Sequence, residues 1–264
     1  MFATGRSFED QLSAAQRGVW VAQKLNPASP IFNLGQYIEI RGEIDAELLR
    51  RALFQVVEEA PSLRIAIRDW NGEPSQKVRP SDLVDIPIVD FSASSDAVAE
   101  AQQWMRDDLR TLVDLGRDHL FRFAILRISP RRAFWYQRYH HIANDGFGGW
   151  LLARRAADVY TALSDGKLPA ETPFALLTEL LADERDYRAS DQFASDRKYW
   201  MERLAGAEDP PRLCPAAVGT AAVPIRRTAY LARPLTARYA RSPSKAGLPS
   251  HKWSRRRWPP ISFA

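Results

Sequence analysis

Four histidines occur in the chain, His119, His140, His141 and His251, and two of them are adjacent within Tyr139-His140-His141-Ile142-Ala143-Asn144-Asp145-Gly146. An unperturbed imidazole titrates near about pH 6.5, so it can take a proton from an amine or a hydroxyl at neutral pH. The segment reads as the exit of a strand and the entrance of a helix. Side chains alternate along a strand, so the two rings point to opposite faces and at most one of them serves a given cleft. On residues alone, the pair fits a polar strand end as well as it fits a general base. His119 and His251 read as satisfied polar residues. Asp145 stands where a helix N-cap belongs, its carboxylate placed to accept the amide of Phe147 or Gly148, while Gly146 supplies backbone freedom.

Other chemistries find little support. Gly146, Gly148 and Gly149 are followed by no lysine and lack the GxGxxG order of a phosphate loop. Cys214 is the only cysteine, which excludes an intrachain disulfide and a thiolate metal cage; no metal and no bound cofactor are expected. The net charge of +5 belongs to the C-terminal end: up to Asp209 the chain has 26 Lys/Arg against 32 acids, −6, and after it 11 Lys/Arg and no acid. That tail mixes Arg, Ser, Pro and Trp without apolar period, so disorder is expected beyond about Tyr239. Such a distribution argues against a specific nucleic-acid partner. No apolar run approaches a membrane span and no signal-peptide core follows Met1, so a cytoplasmic address is expected. The abrupt loss of acids also fits a truncated or out-of-frame end of a longer coding region.

The elements that must position the histidine pair follow from periodicity. Leu12, Ala15, Val19 and Ala22 fall at helical spacing and predict a helix over 9–25, capped by Ser7 and closed by Pro27. Tyr37–Arg41 alternates, with Ile38 and Ile40 on one face, and Asp45 caps a following helix that carries Leu48, Leu49, Ala52, Leu53 and Val56. Strands Leu63–Arg68 and Gln76–Arg79 flank the turn dipeptide Asn71-Gly72, and Ile86–Val89 adds a short strand. A helix over 94–115 is expected to separate two sheet regions. Phe121–Ile128 and Ala133–His141 read as an antiparallel hairpin through Ser129-Pro130-Arg131-Arg132, followed by helices at 147–163, 173–188 and 191–205. Phe147 and Trp150, sharing an apolar helical face with Leu151 and Ala157, are expected in the core more than on a channel wall. The fold class is α/β, a mixed sheet flanked by helices.

His140 to Gly146 matches HHxxxDG, and with it the chain resembles the condensation domains of nonribosomal peptide synthetases and their chloramphenicol-acetyltransferase-like relatives. Leu12-Ser13-Ala14-Ala15-Gln16-Arg17-Gly18-Val19-Trp20 is similar to the family's opening LSxAQxxxW motif. Glu58-Glu59-Ala60-Pro61-Ser62-Leu63-Arg64 resembles part of its second motif, RHExLRTxF, with Arg64 at the arginine position. Ala194–Trp200 looks like the helix that ends the first lobe. The resemblance covers 8–209, an N-terminal lobe, and leaves 210–264 as an aberrant tail; later family motifs such as DFGWG are absent.

The resemblance implies an acyltransferase that forms an amide between thioesters carried on the phosphopantetheine of partner carrier proteins, within a synthetase. It implies that His141, with His140 beside it, is the catalytic histidine, orienting the acceptor amine and taking its proton. Gly146 would let the backbone approach the reacting centre, and Asp145 would form a buried ion pair with Arg64. Two other readings stay open: an O-acyltransferase of the same superfamily, and a noncatalytic remnant or carrier-docking module.

Overall fold

The computed structural model describes residues 11–70, 72–81 and 84–206. The proposed tail, Cys214, His251, Ser7 and Asn71 lie outside them.

Helix α1 (Ala14–Leu25) opens on a capping box in which Ser13 accepts from Gln16 N–H and the Gln16 side chain accepts from Ser13 N–H. Ser13, rather than Ser7, therefore caps this helix. β1 (Asn33–Arg41) runs longer than its alternating core, and α2 (Ala46–Glu59) starts at Asp45 as expected, with Asp45 Oδ1 accepting from Leu48 N–H. A 3-10 turn at Pro61–Arg64 takes the first residues expected in a strand; β2 (Ile65–Trp70) and β3 (Glu73–Val78) then form the predicted hairpin, with Gly72 at φ 81° where an L side chain would be strained.

β4 (Ile88–Asp90), α3 (Ala97–Leu109) and β5 (Phe121–Ser129) form a crossover: β4 and β5 are parallel neighbours. This corrects the expectation that the helix divides two sheets. A parallel pair needs a long connection, and α3 supplies it. α3 is also shorter than the periodic stretch, beginning at its Asp96 cap and ending at Arg110, so Leu112 falls outside its stripe and is exposed. β6 (Arg132–His140) pairs antiparallel with β5 and with β1, giving the sheet order β1-β6-β5-β4. After it come α4 (Gly146–Ser164), α5 (Leu177–Arg188) and α6 (Asp191–Leu204).

Both faces of the sheet are covered, which explains why β6 is buried almost throughout. Phe121, Phe123, Ile125, Trp135 and Tyr139 pack with Leu53 and Val56 of α2 and Leu152, Ala156 and Val159 of α4. Ala124, Leu126, Phe134 and Tyr136, on the alternate face, pack with Ala101 and Met105 of α3. A third cluster joins Leu12 and Trp20 to Ile65, Ile67, Leu120, Ile142 and Ala143, so α1 rests directly on the turn that follows β6. Arg155 of α4 and Glu59 of α2 lock those two helices through two 2.7 Å hydrogen bonds, and Arg155 also donates to Ala170 O. Burial raises the Glu59 carboxyl, but the hydrogen bonds of Arg155 and Gln55 outweigh it and leave the group below its ordinary value. No helix among the described residues is long and apolar enough to cross a membrane.

Candidate active site

The strand ends one residue earlier than predicted, at His140, and His141 opens the turn that leads to α4. The two rings nevertheless diverge. His140 is buried, 3% exposed, and both its nitrogens are engaged: Nδ1 accepts from Ile142 N–H at 3.3 Å and Nε2 lies 3.2 Å from Gln23 Oε1. An accepting Nδ1 places the proton on Nε2, which donates to Gln23. Burial, then the charges of His141 and Arg138, push the His140 imidazole down to about 4, so it is neutral at pH 7. A neutral ring with both nitrogens engaged fixes the turn.

His141 is the exposed member. Its backbone N–H donates to Phe32 O at 2.8 Å, which anchors the residue to the chain entering β1, and among the described residues its ring nitrogens have no hydrogen-bond partner. The residue is exposed to solvent.

Helix α1 holds this turn from below. Gln16 Nε2 reaches Ile142 O at 3.4 Å, Gln23 meets His140, and Trp20 packs in the cluster that contains Ile142 and Ala143. The opening motif and the histidine motif are thus in physical contact. On the other side Asp145 caps α4, its Oδ1 accepting from Gly148 N–H at 2.7 Å. A Cβ at Gly146 would meet no heavy atom within 4 Å, whereas one at Gly148 would collide with the Asn144 side chain. Gly146 therefore fronts open space, and a side chain at Gly148 would require the Asn144 carboxamide to move.

Two sequence expectations need correction. Arg64 does not pair with Asp145: its guanidinium donates to Val57 O, Glu58 O and Arg79 O at 3.1, 3.0 and 2.6 Å. The orphan carbonyls at the C-terminal end of α2 capture the cation, and Asp145 is an exposed cap. Phe147 and Trp150 are not core residues. They are 68% and 36% exposed and stack on one another at 5.8 Å, because the buried stripe of α4 runs through Gly149, Leu152, Arg155, Ala156 and Val159. Gln23 was not legible as a site residue, since a helical glutamine in an amphipathic run carries no signal of its own.

Residues 9–226 match the family profile of the condensation domain. The chain is 40% identical over 226 residues to the dimodular nonribosomal peptide synthase of Bacillus subtilis, covering 86% of this chain and 10% of that protein. It is 33% identical over 208 residues to enterobactin synthase component F of Escherichia coli, 78% and 16%. Among solved structures, a variant of the starter condensation domain of rhizomide synthetase RzmA in complex with C8-CoA superposes with a TM-score of 0.75 at 40% identity, over 79% of this chain and 48% of that one. The first condensation domain of the calcium-dependent antibiotic synthetase, solved with a substrate analogue, gives 0.70 at 32% identity, over 76% and 48%. The chain spans about half the length of the solved domains it matches. Its architecture is the chloramphenicol-acetyltransferase-like fold of these neighbours, and the chain belongs to the condensation-domain family of nonribosomal peptide synthetases.

Proposed function

We propose that this chain supplies the His141-bearing half of a condensation site that joins a donor acyl thioester to the amine of an aminoacyl thioester, both held on phosphopantetheine arms of carrier proteins. The observation that carries the reading is the division of labour in the histidine pair: His140 is buried with both nitrogens engaged, and His141 is presented with its ring unengaged. In the reaction the amine nitrogen attacks the thioester carbonyl carbon, the C–N bond forms and the C–S bond breaks. His141 orients the amine and takes its proton, which ends on the departing thiol. Asp145 holds the turn by capping α4, and the open space in front of Gly146 receives the reacting groups. Arg64 has no part in this beyond joining the end of α2 to the end of β3.

The test uses this chain together with the second half of the rhizomide starter condensation domain. An acyl-loaded carrier protein is offered an aminoacyl-loaded carrier and free alcohols as competing acceptors, and products are read by mass spectrometry. Amide formed only when both halves are present supports the proposal. Ester would establish the O-acyltransferase reading, and capture of the carrier without either product would establish a docking module.

A further inference from the structure

A second polar centre lies on the sheet face that carries α3. Asp108, near the end of that helix, accepts from Tyr136 Oη–H at 3.0 Å and faces two guanidinium groups, with Arg138 Nε 3.0 Å and Arg122 Nε 3.3 Å from its oxygens. The Arg138 and Asp108 side chains are 8% and 9% exposed. Two cations share one carboxylate, so the centre holds one surplus positive charge, carried by Arg122, whose side chain is 43% exposed and also lies over the Trp104 ring at 5.4 Å. The Arg138–Asp108 contact is Coulombic only: the Nε–H is not aligned as a hydrogen bond, and Nε and Nη1 are buried without an acceptor. Arg138 and Arg122 both line a cleft of about 320 Å³. Buried guanidinium donors without partners are rare in native proteins and point to a missing acceptor.

The cleft lies where the chain between α3 and β5 passes over the sheet. Arg122 and Arg138 share its wall with apolar Leu112, Val113 and Phe121. Two acids also line it, Asp85 and Asp118, but both are exposed and screened by water, and Asp118 already accepts from Asp114 N–H. A single surplus charge matches a monoanion better than a dianionic phosphate. A planar carboxylate fits the guanidinium fork, and the apolar wall fits a hydrocarbon body.

We propose that this cleft binds a small amphipathic carboxylate, its head on Arg138 and Arg122 and its body against Leu112, Val113 and Phe121. The site needs no acyl transfer and is independent of the role given to His141. Benzoate, benzamide and inorganic phosphate are titrated into the 264-residue chain by calorimetry and by amide NMR. Benzoate is expected to saturate, shifting resonances of residues 111–122, while uncharged benzamide and phosphate bind at least about tenfold more weakly. Arg138→Gln and Leu112→Trp each weaken benzoate by about tenfold or more. Leu112 is 52% exposed, so the tryptophan fills the cleft without entering the core and carries the test should Arg138→Gln not fold. Equal affinity for benzoate and benzamide, preference for phosphate, absence of saturable binding, or undiminished binding to Leu112→Trp would each overturn the proposal.

Discussion

His140 offers a titration that follows from its surroundings alone. Its folded-state pKa is about 4, against about 6.5 for an unfolded histidine, because burial opposes the charged ring. The sign is fixed by proton binding: between these values the unfolded chain binds a proton that the folded chain refuses, so stability is complete above pH 6.5 and lost as the pH falls. The linkage relation gives a loss of about 2 kcal/mol between pH 8 and pH 5, rising to about 3 kcal/mol at pH 4. The upper part of that window isolates the histidine, since the depressed carboxyls of Glu39 and Glu59 begin to cost stability only as the pH approaches the ordinary carboxylate range. Urea unfolding followed by tryptophan fluorescence at several pH values measures the slope. In His140→Asn the side-chain oxygen replaces the accepting Nδ1 but does not titrate, so the variant should be less stable at pH 8 and nearly flat down to pH 5. A wild-type profile flat within about 0.5 kcal/mol, or an undiminished slope in the variant, refutes the assignment of a buried neutral ring.

Three further outcomes follow from the same geometry. Gly148→Ala should destabilise the chain through its clash with Asn144, by about 1 to 3 kcal/mol in chemical denaturation, while Gly146→Ala should leave stability unchanged or slightly higher. Arg155→Met strands the carboxylate of Glu59 and should cost about 3 to 5 kcal/mol, and pairing it with Glu59→Leu should recover most of that loss. A double-mutant cycle between Arg64 and Asp145 should show coupling within about 0.5 kcal/mol of zero, since the guanidinium serves α2 carbonyls and the carboxylate serves α4.

Much of this was legible in the residues because local rules and tertiary packing agree. Asp45 and Asp145 cap the helices they precede, Pro130-Arg131 turns the β5–β6 hairpin, and His140 closes β6 buried while His141, the first residue of the turn, is exposed. The failures occur where a choice among partners depends on distance in space. Arg64 could meet a carboxylate or a set of carbonyls, and only the proximity of the end of α2 decides. The period of α4 marks an apolar stripe but not its width, so Phe147 and Trp150 read as core residues although they lie at its edge. Strand pairing across α3 is likewise non-local: three residues of β4 choose β5 by geometry that a local window does not contain. The Asp108–Arg138 centre joins residues thirty positions apart and left no pattern along the chain.

The division between a structural and a reacting histidine is tested most directly by single-turnover amide formation with the complemented domain, comparing His141→Ala with His140→Asn. The account predicts that His141→Ala lowers the rate by about 10² to 10⁴ at unchanged thermal stability, whereas His140→Asn loses stability first and keeps turnover under conditions where it remains folded. Full rate in His141→Ala would contradict it.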